Sequence, residues 1–205
     1  MAITTKYPIL KQSKHYVDAQ TSLNQNHESS LLPSIFISTP DENLINSNVS
    51  DTQTRSSLIR LLHEMKIIKT DHNIRNSQTN PFIAYSDGSL TKTTDHEQAR
   101  MGFGWLLQDL DHIRFKGNID NWPSSTRAEL SAIWTLILAS PENSFITLYT
   151  DSQATIDGIN KVRTFGNRTK FFNINNRTLI SNIIELENRK NISLNLKKVK
   201  AHAGI

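Results

Sequence analysis

Phe82-Ile83-Ala84-Tyr85-Ser86-Asp87-Gly88-Ser89 opens the part of the chain that decides the fold. Four residues of strand texture run into an Asp-Gly step, which marks either a turn or a point where flexible backbone comes close to something else. Moving outward, residues 101–107 read as a second strand containing Gly102 and Gly104, and residues 113–116 as a third. Residues 126–139 place Leu130, Ile133, Trp134, Ile137 and Leu138 on a helical period. A strand over 145–149, helices over 152–161 and 179–186, and a closing strand over 192–199 complete the series. The order β-β-β-α-β-α-α-β predicts an α/β fold with a mixed five-stranded sheet flanked by helices. The sheet should be antiparallel on one side and parallel where helices cross over.

Upstream, residues 1–79 read as a low-complexity, partly helical extension to a domain over 80–205. Residues 1–52 are rich in Asn, Ser, Thr and Gln, with Pro8, Pro33 and Pro40, and are expected to be disordered or loosely docked. A helix should follow, because Leu58, Leu61, Leu62, Met65 and Ile68 recur at helical spacing after Asp51 and Thr54. The 205 residues are 37% apolar and 20% charged, with a mean hydropathy of −0.44. No apolar run approaches the roughly 20 residues of a bilayer span, so no membrane partner is expected. The absence of cysteine excludes disulfides and thiolate chemistry. The opening residues lack an apolar signal core. Together these favour an intracellular place, nuclear or cytoplasmic. Charge is uneven: residues 81–157 hold 5 Lys/Arg against 10 Asp/Glu, and residues 158–205 hold 10 against 2. Clustered Lys/Arg is what phosphate-backbone binding needs, although single lysines more often solvate a helix face.

Four acidic or titratable residues stand where chemistry is possible, and each has a plainer reading. Asp87 ends the first strand, where Asp-Gly alone signals a turn. Glu129 lies in Thr126-Arg127-Ala128-Glu129, a pattern in which threonine caps a helix and glutamate reaches back to it. Asp151 follows the strand over 145–149 and precedes a helix, so an N-cap explains it cheaply. If the first and fourth strands are parallel neighbours, however, Asp87 and Asp151 share a rim, and the helix near Thr126 brings Glu129 over them. Such a cluster needs divalent cations, of which Mg²⁺ fits best because no histidine pair has zinc-ligand spacing. His202 stands after the last strand and can carry a proton near neutral pH.

Taken in order, Ser86-Asp87-Gly88-Ser89, Ser125-Thr126-Arg127-Ala128-Glu129-Leu130, Tyr149-Thr150-Asp151-Ser152-Gln153 and Val199-Lys200-Ala201-His202-Ala203-Gly204 resemble the type 1 ribonuclease H family. In style they resemble the domains of eukaryotic retrotransposon reverse transcriptases. The resemblance covers about residues 80 to 205. It implies metal-dependent endonucleolytic hydrolysis of the RNA strand of RNA/DNA hybrids, with two Mg²⁺ ions and Mn²⁺ as a substitute. It makes Asp87, Glu129 and Asp151 metal ligands and His202 the histidine that assists turnover. It sets Ser89, Ser125 and Thr126 against the substrate backbone and Asn176 near the DNA strand. By charge, Lys161, Arg163, Arg168, Lys170 and Arg177 form a stretch suited to phosphates. A reverse transcriptase in a longer parent is the implied partner.

One departure stands out. The family carries a fourth carboxylate beyond the histidine, at the start of a closing helix, and this chain stops at Ile205. A missing closing helix is therefore expected, with one sheet face thinly covered. That leaves a second reading, a catalytically impaired nucleic-acid-binding remnant of a retroelement domain. A third, a transposase or other nuclease on the same fold, lacks the support of the His202 motif.

Overall fold

A computed structural model of the chain describes residues 39–70, 80–91, 99–165 and 174–200. Among them are helices α1 (Pro40–Asn48), α2 (Thr52–Thr70), α3 (Ser125–Ala139), α4 (Gln153–Phe165) and α5 (Arg177–Arg189). Strands β1 (Phe82–Thr91), β2 (Arg100–Leu107), β3 (Leu110–Ile119), β4 (Phe145–Thr150) and β5 (Ser193–Lys198) form one sheet in the order β3-β2-β1-β4-β5. β1, β2 and β3 pair antiparallel, whereas β1 with β4 and β4 with β5 pair parallel. This is the mixed α/β sheet that the element order predicts. The two parallel pairs require crossovers, and α3, then α4 and α5, lie in those connections.

α3 is the hub. Eleven of its 15 residues are buried, so it is apolar on nearly every side and must be surrounded. It lies on β1 and β2 and is flanked by α2 and α5. Strand alternation aims Phe82, Ala84, Ile146 and Leu148 at this helical layer, and all four are buried. On the opposite face, Ile83, Tyr85 and Tyr149 are only half-buried. There the rings of Tyr85 and Tyr149 stack with centroids 5.2 Å apart, and the Lys197 ammonium sits 5.8 Å from the second ring.

The expected N-terminal helix is present as α2, and Asp51 caps it by accepting the Thr54 amide at 2.6 Å. Leu58, Leu61, Leu62 and Met65 are fully buried in the same cluster as the sheet residues. The expectation of loose docking through residue 52 is overturned for residues 40–48, which form α1. Its Leu44 and Ile45 enter that shared core, and Asp41 is buried against Lys66 at 3.0 Å and Lys190 at 3.2 Å. Residues 1–38 lie outside the described residues. Among the described residues no helix is long and apolar enough to cross a membrane.

Candidate active site

Parallel pairing of β1 with β4 ends at Tyr85 opposite Tyr149. Asp87 and Asp151 each stand two residues further along, at the rim where the two chains part. β1 does not turn at Asp87-Gly88 as the dipeptide suggests. It continues to Thr91, paired only with β2, with Asp87 opposite Gly104 and Gly88 opposite Phe103.

Gly88 is required for a tertiary reason instead. A Cβ placed there would lie 2.5 Å from the Glu129 amide nitrogen and 2.9 Å from the Ala128 carbonyl carbon, so backbone of β1 touches backbone of α3. That contact sets Glu129 beside Asp87. Gly88→Ala is expected to force the helix away, lowering stability by about 1–3 kcal/mol, as overpacking does. A displacement of Glu129 by about 1 Å is expected to cost roughly 100-fold in any reaction that uses its carboxylate. Thermal melts and any assay of the site on the same preparation check both effects.

The two helix-start readings are also corrected. Ser124, not Thr126, caps α3 by accepting the Arg127 amide at 3.3 Å. Glu129 therefore falls in the second turn, beyond the reach of a capping box, and is buried with 4% exposure. Its Oε2 accepts a hydrogen bond at 3.4 Å from Thr150, a residue with no exposure at the end of β4. The start of α4 is held by Ser152, whose Oγ accepts the Thr155 amide at 3.3 Å, so Asp151 is not the cap. Thr150 also accepts the Ser152 amide at 3.2 Å, locking the turn that carries Asp151.

Neither carboxylate is the helix cap that the sequence pattern suggests. Asp87, Glu129 and Asp151 each offer a carboxylate oxygen, and these atoms lie within 4.8 Å of one another. Two of the three residues are buried. The donor set is all oxygen, which suits hard cations such as Mg²⁺ or Mn²⁺ and is poor for zinc. Thr150 was missed by sequence reasoning; its signal is its place immediately before Asp151 at a strand end.

The remaining sequence candidates are spread around this cluster. Ser89 donates its hydroxyl to the Gly102 carbonyl at 3.3 Å. Ser125 and Thr126 occupy the first turn of α3, exposed and half-buried respectively. Lys161 is exposed on α4. Arg163 is engaged with the buried Glu187 carboxylate and, at 3.2 Å, with the Leu194 carbonyl, tying α4 to α5 and β5. Burial pushes the Glu187 carboxyl above its ordinary range, and the Arg163 charge opposes that shift. Asn176 precedes α5 in a left-handed conformation, and Arg177 begins that helix. His202, Arg168 and Lys170 lie outside the described residues.

The RNase H family model matches residues 79–205. The chain belongs to that family. No curated protein matches it. Among solved structures, it is similar to a foamy viral protease-reverse transcriptase in complex with dsDNA, at 18% identity and a TM-score of 0.46, over 60% of this chain and 84% of that one. It is also similar to LC9-RNase H1, a type 1 RNase H with the type 2 active-site motif, at 17% identity and a TM-score of 0.44, over 62% and 67%. A third similar structure is RNase H1 from the halophilic archaeon Halobacterium salinarum NRC-1, at 18% identity and a TM-score of 0.36, over 59% and 86%.

Proposed function

We propose that this chain hydrolyses the RNA strand of RNA/DNA hybrids as a metal-dependent endonuclease. The reading is carried by one observation, the convergence of Asp87, Glu129 and Asp151 in a chain of the RNase H family. Three carboxylates this close repel one another unless cations neutralise them. Asp87, Glu129 and Asp151 would hold two divalent cations, Mg²⁺ or its substitute Mn²⁺. When bound, such cations supply a nucleophilic water and stabilise the oxygens entering and leaving phosphorus. Water adds to phosphorus, the bond to the 3′ oxygen breaks, and the products are a 3′-hydroxyl and a 5′-phosphate.

The protein's own residues provide the positioning. Thr150 restrains Glu129 through its hydroxyl, and Gly88 lets α3 approach β1. His202 is assigned the proton that leaves or enters at product release, a task suited to imidazole. Ser89, Ser125, Thr126 and Asn176 are assigned to the hybrid's backbones, and Lys161, Arg168, Lys170 and Arg177 to its phosphates, with Arg163 holding α4 in place beside them through Glu187. Selection for RNA in the cleaved strand rests on its 2′-hydroxyls. The likeness of the four motifs to retroelement domains supports a reverse transcriptase as the parent protein or partner.

The test uses the full chain and a hybrid labelled on each strand in turn. Mg²⁺ or Mn²⁺ is expected to yield cleavage of the RNA strand alone, and EDTA to stop it. Metal binding is read separately from the melting temperature. Saturating to about 100 times Kd stabilises a site by about 2.7 kcal/mol, and chelation reverses the gain. Hybrid that is bound yet left intact with either metal sinks the enzyme reading.

A further inference from the structure

Trp122 is the most exposed large apolar side chain among the described residues, at 78%, and it stands on the loop leading into α3, seven residues before Glu129. Its backbone is strained. Asn121 and Trp122 both have positive φ, 66° and 50°, and Pro123 follows. Asparagine tolerates the left-handed region, but a bulky aromatic there is rare, and a residue before proline is normally pushed to extended backbone. Strain of this kind persists only where surrounding structure imposes it, and it collects at functional sites. Burial does not repay it, because most of the indole is in solvent.

Arg127 adds a second observation. It sits in the first turn of α3, two residues before Glu129, and its guanidinium carbon lies 5.6 Å from the centre of the Trp122 ring. Its Nε is buried and has no hydrogen-bond partner among the described residues. The guanidinium thus approaches the indole while retaining a donor without a partner, in the first turn of the helix that carries Glu129. An exposed aromatic ring paired with arginine, on the loop that leads into the helix carrying Glu129, has the chemistry of a nucleotide platform. Such rings pack on bases and sugars regardless of sequence, and arginine reaches the adjoining phosphate.

We infer that Trp122, supported by Arg127, is a substrate-contacting residue that packs against a nucleoside of the hybrid and sets affinity for it. The inference rests on the nuclease reading above and names a binding element of the same site. The indole is not part of the carboxylate cluster, so its loss should raise KM and leave kcat little changed.

Trp122→Gly makes the sharpest test. Glycine adopts positive φ without strain, so this variant should melt no lower than the parent. A residue with a merely structural role would not combine unchanged stability with lost binding. Hybrid affinity is measured with Ca²⁺ in place of Mg²⁺, or in an Asp87→Asn background, so that cleavage does not intervene. Trp122→Gly and Trp122→Ala are expected to bind about 5- to 100-fold more weakly, the range for losing one aromatic–nucleoside contact. Trp122→Tyr should recover most of the affinity. Of the chain's three tryptophans only Trp122 is strongly exposed, Trp105 being 2% exposed and Trp134 half-buried. Hybrid should therefore protect the parent's emission from iodide quenching, and Trp122→Tyr should lose that protection. Equal affinity in parent and Trp122→Gly overturns the inference and leaves the nuclease reading standing. A parent that binds no hybrid overturns both.

Discussion

Asp87→Asn is expected to abolish hybrid cleavage, by a factor of about 100 to 10,000, while the protein melts at the same or a higher temperature without metal. The first effect follows from the donor set. A metal-assisted phosphoryl displacement draws several kcal/mol from its cations, and each 1.36 kcal/mol is tenfold in rate. Asparagine keeps an oxygen but removes the charge that binds Mg²⁺. The second effect has the opposite sign because the apo protein confines three carboxylates within 4.8 Å, so one fewer negative charge relieves repulsion. Adding Mg²⁺ should then reverse the order of stability, since the parent gains binding energy that the variant lacks. Asp151→Asn should behave alike, because it removes a charge from the same cluster while Ser152 still accepts the Thr155 amide at the start of α4. Destabilisation with activity retained would count against the site. Activity measured beside apo and metal-loaded melts separates the outcomes.

The same contrast between local and tertiary causes governs what was legible in the sequence. The element order and the mixed character of the sheet were readable because each strand and helix announces itself by periodicity and punctuation, whereas the neighbourhood of β1 and β4 was only a condition of the reading. Three local inferences misled for related reasons. Asp-Gly at 87–88 is a turn dipeptide, but here glycine serves a helix crossing over it from 40 residues away. Ser124, Ser125 and Thr126 are three consecutive hydroxyl residues, any of which can cap. The choice falls to Ser124, whose own amide donates to the Met101 sulfur at 3.2 Å. Asp151 and Ser152 pose the same ambiguity. In the first case the strand runs on through the dipeptide, and in the other two a serine takes the capping role, so the plainer local reading of each carboxylate gives way to its place in the cluster. Trp122 went unremarked because exposure and backbone strain have no sequence signature.

α1 was missed because Pro40-Asp41-Glu42-Asn43-Leu44-Ile45-Asn46-Ser47-Asn48 has only two large apolar residues. One signal was available. Thr39 as N-cap, Pro40 at the first helical position and two acids in the first turn are a standard helix start. What fixes the helix is remote: Asp41 meets Lys190, about 150 residues away. Lys190 has no exposure, and its ammonium donates to the Ile137 and Leu138 carbonyls at 3.1 and 2.9 Å, covering the C-terminal end of α3. One buried cation thus joins α1, α3 and the end of α5.

Removing its countercharge should therefore be costly. Asp41→Asn is expected to lower stability by about 3–5 kcal/mol, the usual result of breaking a buried pair by one partner. Burial already holds the Lys190 pKa below its ordinary value, and the Asp41 charge works against that. In the window between the lowered and ordinary values the unfolded chain binds more protons than the folded one, so folding gains stability as pH rises there. Asp41→Asn deepens the depression and widens that window. Its deficit should be largest near neutral pH and shrink on raising pH, until Lys190 is neutral in both states. Lys190→Met in the same chain removes the stranded charge and should recover much of the loss. Chemical denaturation of the parent, both single variants and the double variant at several pH values measures the coupling. If Asp41→Asn costs under about 1 kcal/mol, the pair is only an exposed-type contact, and α1 is held by Leu44 and Ile45 alone. A loss of the expected size makes residues 40–48, outside the matched span of 79–205, part of what keeps α3 and hence Glu129 in place.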